Sequence, residues 1–207
     1  LTGQSGSGTL NNAITFYPNL AGGTIFCTGT NYLNTGLTNY PLASYNEPFT
    51  VEAWINVPSS MTWNTTNSSG IFHRGSYGGF HGLVASTVNN QIYFGLRGTT
   101  GGSYGPVGTI TRDAWYHLVG TWSGLSTGAT ATLYINGAVA QSLNLSASLV
   151  DAPASGVSWK IGFNTVESAP GSYYNGYVQA AKIYNKSLTA DEVTQNYNAL
   201  KRRYGLN

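Results

Sequence analysis

The sequence predicts an all-β fold: a two-sheet antiparallel β-sandwich of jelly-roll, concanavalin-like type, with one short C-terminal helix. Three observations carry this expectation. Segments that alternate apolar and polar residues with period 2, bounded by Gly, Asn, Pro and Ser, recur along the whole chain. Asn136-Gly137 stands between two apolar alternating runs, where it supplies the positive φ angles of a type I′ hairpin turn. Charged residues make up only 8% of the chain, against about 25% in an ordinary soluble domain. Asn, Ser, Thr and Tyr fill the places where Lys and Glu usually stand.

The predicted strands follow in order: 24–27, 49–57, 70–73, 82–86, 91–97, 115–122, 130–136, 138–143, 158–163 and 176–184. In the second of these, Phe49, Val51, Ala53 and Ile55 fall on one face. The run from Trp115 to Trp122 is apolar on both faces, with Trp115 and Val119 on one and Leu118 and Trp122 on the other. It therefore reads as a strand well inside its sheet. A helix is expected over about 189–203. Thr189 and Glu192 have capping-box spacing. Asp191 and Glu192 complement the N-terminal dipole, and Lys201-Arg202-Arg203 the C-terminal one. Val193, Tyr197 and Leu200 share one face.

The 207 residues suit one large β-domain covering 1–207, and the polar stretch 63–69 reads as a loop within it. Net charge is +2, and the one basic cluster, at 201–203, is absorbed by the helix end. No phosphate-neutralising face exists, so no nucleic-acid partner is expected. No apolar run reaches the length of about 18 residues needed to cross a membrane as a helix, so no membrane insertion is expected. Cys27 is the only cysteine, follows an apolar run and reads as a buried thiol. The chain opens at Leu1 with no signal-peptide-like apolar stretch, as expected of a processed or truncated N-terminus.

Five segments stand in the order found in laminin-G-like, concanavalin A-like jelly rolls, and the chain resembles that family over nearly its whole length. They are Phe49-Thr-Val-Glu-Ala-Trp54, Trp115-Tyr-His-Leu-Val-Gly-Thr-Trp122, Leu133-Tyr-Ile-Asn-Gly137, Lys160-Ile-Gly162 and the stretch from Ile183 to Val193. Gly22-Gly23-Thr24-Ile25-Phe26 and Asn31-Tyr32 resemble the family's opening strands. The resemblance implies the fold. It does not select among lectins, adhesion modules, hydrolase appendages and virion proteins. The tail from Val193 to Leu206 resembles the ending of such domains in structural proteins of tailed bacteriophages, which implies a virion setting, as capsid decoration or a tail or fibre part. An extracellular setting is the alternative. The acidic pair that often follows the Gly of the family's last strand is replaced here by Gln179 and Ala180.

A glycosidase on such a sandwich needs two carboxylates facing one cleft, about 5–10 Å apart. The chain has seven acids, and no predicted strand carries two on one face. A non-catalytic protein is therefore expected. The competing reading is a divergent β-glucanase-type hydrolase working through Glu52 or Glu167. His73, His81 and His117 form no H-E-x-x-H or H-x-H set, so no metal site is expected. No cofactor is expected either, the acid-poor loops leaving only a weak calcium site of backbone carbonyls open.

Gly-Ser-Tyr occurs three times in Gly-rich surroundings, at 75–77, 102–104 and 171–173. Tyr, Ser, Gly and Asn are the residues of adaptable recognition loops, because Tyr offers a large contact area at low entropy cost. Sugar rings also stack on exposed aromatics. The candidate ligand-binding residues are Tyr77, Phe80, Tyr104, Tyr173, Tyr174 and Asn175; the alternative is that these tyrosines simply cover sheet edges. The expected partners are other virion proteins or a second copy of the chain, together with host-surface glycans. A stand-alone lectin-like carbohydrate-binding module is the alternative to the virion reading.

Overall fold

Two antiparallel sheets account for nearly all the regular structure, and their strands come from interleaved parts of the sequence. The computed structural model describes residues 9–11, 15–17, 20, 23–38, 46–60, 69–76, 79–85, 90–97, 103–125, 128–145, 157–163 and 173–207. In chain order the strands are β1 (Thr9–Asn11), β2 (Thr15–Tyr17), β3 (Thr24–Thr28), β4 (Tyr32–Asn34), β5 (Phe49–Asn56), β6 (Ser69–Ser76), β7 (Gly79–Ala85) and β8 (Gln91–Arg97). They continue as β9 (Ser103–Tyr104), β10 (Val107–Thr109), β11 (Trp115–Trp122), β12 (Thr130–Ile135), β13 (Ala138–Asn144), β14 (Lys160–Ile161) and β15 (Asn175–Tyr184). Helix α1 spans Ala190–Leu200 and runs into a 3-10 turn at Lys201–Tyr204.

The eight-stranded sheet has the order β1-β4-β14-β6-β7-β8-β10, with β9 also on β8; the seven-stranded sheet is β13-β12-β11-β5-β15-β3-β2. Every ladder between named strands is antiparallel, and the non-consecutive neighbours are the crossovers of a jelly roll. The core lies between the sheets. Phe49, Val51, Ala53 and Ile55 of β5, Leu118 and Trp122 of β11, and Leu83, Ile92, Phe94 and Leu96 from the other sheet are all fully buried there. As expected, β11 is an inner strand, held by β5 on one side and β12 on the other. The expected hairpin is present, with Asn136 at φ 52° and Gly137 at φ 80°.

The outward residues of β5 are buried as well: Thr50, Glu52 and Trp54 have no exposed surface. The C-terminal segment covers them. The capping box forms as the spacing predicts: the Glu192 amide donates to Thr189 Oγ1 at 3.2 Å, and the Thr189 amide donates to Glu192 Oε2 at 3.0 Å. The chain before the helix is pinned to β5, because Thr50 Oγ1 donates to the Lys186 carbonyl and accepts from the Leu188 amide. Val193 then packs on Val119, Tyr134 and Leu188. The α-helix stops earlier than the basic cluster. Lys201 is its C-cap, and Arg202 and Arg203 belong to the 3-10 turn.

Gly120 of β11 fixes how closely the sheets approach. A β-carbon there would lie 2.2 Å from the Phe94 ring, which is fully buried. The ring fills the space a side chain would need. Gly120→Ala is therefore expected to lower stability by about 1–3 kcal/mol through overpacking, read as a fall in the denaturant midpoint with the slope of the transition unchanged.

Candidate functional site

Among the described residues, two clusters of side chains invite a functional reading, and they lie on opposite outer faces of the sandwich. One is polar and buried beneath the helix. The other is aromatic and half-exposed.

The polar cluster centres on Glu52. Its Oε1 accepts from Lys182 Nζ at 2.8 Å, and its Oε2 accepts from the Tyr184 hydroxyl at 2.7 Å and from Asn196 Nδ2 at 2.9 Å. His117 Nε2 lies 3.3 Å from Oε1. Strand register makes this grouping: His117 and Lys182 are on the two strands flanking β5, where Glu52 pairs with Val119 and Lys182. Above it, Trp54 stacks on Tyr204 with ring centres 4.0 Å apart, and His117 lies against Trp54 at 4.9 Å. Burial alone would raise the Glu52 carboxyl; the contacts and charges of His117 and Lys182 outweigh that and bring it down to about 2. Burial, then the charge of Glu52, pushes the Tyr184 phenol up.

This arrangement can hold a charge but cannot reach a substrate. Glu52, the sequence's candidate carboxylate, is fully buried, ionised and already engaged on both oxygens. Glu167, its suggested partner, lies outside the described residues.

The aromatic cluster forms on the outer face of the eight-stranded sheet. Tyr32 of β4 and Phe163, just after β14, stack with centres 4.9 Å apart and planes at 24°. Tyr173 packs on Phe163 at 4.7 Å and reaches Tyr32 at 6.3 Å. Local backbone explains each placement. Leu33 and Ile161 pair with each other and turn inward, so their neighbours Tyr32 and Lys160 face out. Gly162, at φ 89°, turns the chain where a β-carbon would lie 2.6 Å from the buried Cys27 sulfur. Tyr173 is fixed by backbone bridges to Phe163 and Gly70. Lys160 Nζ lies 5.9 Å from the centres of both the Tyr32 and Phe163 rings.

Of the six residues singled out in the sequence, Tyr173 belongs to this cluster. Tyr174 does not: alternation turns it inward, it is 1% exposed in the core, and its hydroxyl donates to the Asn56 carbonyl at 3.4 Å. Asn175 opens β15 opposite Thr28, half-buried beside Gly29. Phe80 and Tyr104 lie in β7 and β9, with side chains outside the described residues, as is the whole of Tyr77. The sequence reading missed Tyr32, Phe163 and Lys160 as site residues. The available signal was Lys160 itself, a rare cation one position from the apolar Ile161 in a strand.

A second aromatic row, Tyr17, Phe26, Tyr177 and Trp115, crosses the seven-stranded sheet and meets Tyr204 under the 3-10 turn. Tyr17 meets Phe26 and Tyr177 edge-on, at 76° and 69°.

Two antiparallel sheets with jelly-roll crossovers, one outer face closed by a helix and the other bearing an aromatic cluster, define a concanavalin-type sandwich. The chain belongs to the Laminin_G_3 family, of the concanavalin A-like lectin/glucanases superfamily, whose pattern matches residues 28–194. No curated protein sequence matches it. Among solved structures it is similar to domain 4 of AbnA, an extracellular arabinanase from Geobacillus stearothermophilus, solved in complex with arabinotriose. That match has a TM-score of 0.70 and 19% identity over 94% of this chain and 89% of that one. It is also similar to the binding domain of botulinum neurotoxin serotype G (TM-score 0.70, 15% identity, 93% of this chain and 46% of that one). The binding domain of Paraclostridial Mosquitocidal Protein 1 matches with a TM-score of 0.69 and 16% identity, over 97% of this chain and 50% of that one. The chain spans about half the length of these two toxin domains. At such identities the likeness establishes the fold.

The Glu52 network makes a pH prediction. A carboxyl lowered to about 2 from an ordinary 4.5 contributes stability that is complete above 4.5 and is lost as pH falls through 2. Glu52→Gln is expected to cost about 3 kcal/mol at neutral pH. The gap to the parent should close between pH 4.5 and 2 in urea melts; a gap that does not change with pH would show that the carboxylate charge contributes nothing.

Proposed function

We propose that this chain is a non-catalytic carbohydrate-binding module whose ligand lies on the Tyr32–Phe163–Tyr173 cluster. The observation that carries the reading is the cluster itself: three partly buried rings on the outer face of the eight-stranded sheet, two of them stacked, within reach of one cation. The apolar faces of sugar rings stack on such aromatics, and the Asn-, Ser- and Thr-rich surface offers uncharged donors and acceptors for hydroxyl groups. The similarity to a domain solved with arabinotriose and to toxin binding domains supports a binding role. The engagement of Glu52 under the helix speaks against a hydrolase acting through it. The reading requires no cofactor.

The setting we propose is a phage particle, where the module decorates a capsid or forms part of a tail or fibre and meets host-surface glycans. Its assembly partners are other virion proteins or a second copy of the chain. The low charge and the phage-like ending from Val193 to Leu206 support this. Mass spectrometry of purified particles tests it, and a chain absent from virions removes the setting while leaving the binding reading intact.

Glycan-array signal that falls about fivefold or more in Tyr173→Ala and in Phe163→Ala, with thermal melting close to the parent, is the expected outcome, because each stacked ring contributes on the order of 1 kcal/mol. Signal that survives both substitutions places the ligand elsewhere.

A further inference from the structure

The aromatic cluster holds a cation without a counter-ion among the described residues. Their ion pairs include Glu52 with His117 and Lys182, and Lys186 with Glu192; Lys160 is in none of these. Its ammonium is held near the Tyr32 and Phe163 rings, whose quadrupoles attract a cation without neutralising it. Lys160 stands in register between Asn34 of β4 and His73 of β6. His73 adds no charge: burial, then the charge of Lys160, lowers its imidazole to about 3. Burial also lowers the Lys160 ammonium below its ordinary range, as expected of a cation partly withdrawn from water with no acid beside it among the described residues. In a chain with so few charges, a partly desolvated cation on a stacked aromatic surface gains further from an anion that joins it.

We propose that the cluster selects a sugar acid, a hexuronic or nonulosonic residue whose carboxylate meets Lys160 Nζ while its C–H face lies on the Tyr32–Phe163 pair. This rests on the carbohydrate-binding reading above and adds the charge of the ligand. A single lysine is a point charge on a flexible stem, suited to a monoanion. A phosphate monoester, near −2 with three acceptor oxygens, would call for a guanidinium fork or several amides, and the described residues of the cluster supply neither.

The test uses the intact chain on matched glycan pairs with and without a uronic or nonulosonic acid, a sulfated member of each series, and polygalacturonate beside its methyl ester. Acidic members should be bound about tenfold or more above their neutral counterparts, with the difference shrinking as salt rises. Lys160→Met, which keeps the apolar stem, should bring the acidic members down to the level of their neutral counterparts and so abolish the preference, and Lys160→Arg should retain it. Equal binding of neutral and acidic members, or a preference that survives Lys160→Met, overturns the proposal while the glycan-binding reading stands. Binding confined to sulfated members overturns the carboxylate assignment. Absence of all glycan binding removes both.

Discussion

A carboxylate with no exposed surface sits at the centre of the seven-stranded sheet, and much of the C-terminal architecture follows from keeping it satisfied. Glu52 belongs to β5, His117 to β11, Lys182 and Tyr184 to β15, and Asn196 to α1. An isolated charge in such a place would cost several kcal/mol. Sheet register brings the lysine, the phenol and the histidine to one carboxylate, and the docked helix brings the amide. An isolated helix of 11 residues is marginal in water. Here its first turn is locked by the Thr189–Glu192 box, and its buried face is fixed by Val193 and by Asn196 above the carboxylate. Sheet and helix therefore form a single cooperative unit.

That unit was partly legible in the sequence. Alternation over eight residues revealed β5 and β11, the Asn-Gly pair revealed the hairpin, and the Thr-x-x-Glu spacing revealed the helix start. Strands of two or three residues, such as β1, β2, β9 and β10, are too short to show a period and went unread, although the Asn31-Tyr32 resemblance marked β4. Nothing in Phe49–Asn56 announces that its polar face is also buried; only the arrival of the C-terminal segment makes it so. The candidate site shows the same division. Gly-Ser-Tyr composition pointed to Tyr173 but does not say which way a side chain turns, so Tyr174, one residue on, was misread as a contact and is core. Tyr32 and Lys160 lie far apart in sequence, and only the Asn34–Lys160 pairing in the sheet brings them together.

The two outer faces of the sandwich have been put to different uses. On the seven-stranded sheet the helix, Trp54 and Tyr204 seal the polar network, and the aromatic row beyond them meets edge-on at Tyr17 and at tilted angles elsewhere. On the eight-stranded sheet the Tyr32 and Phe163 rings stack nearly parallel, next to a cation. Both faces are rich in aromatics, so composition alone cannot separate them. The neighbouring cation separates them: Lys160 lies beside the stacked Tyr32–Phe163 pair, and a stacked pair at a surface can extend its stack to a ligand.

The same contrast bears on why binding is the better reading than hydrolysis. A catalytic acid must be able to take and give up a proton near working pH and must meet its substrate. Glu52 meets neither requirement, because its neighbours hold it ionised down to about pH 2 and the helix stands over it. The cation on the opposite face has the reverse character, an ionised group with no partner among the described residues and aromatic walls beside it. One charge is satisfied by the fold and supports it. The other has no counter-ion among the described residues, and the pairing of β4, β14 and β6 fixes the strands that carry the Tyr32 ring and the ammonium.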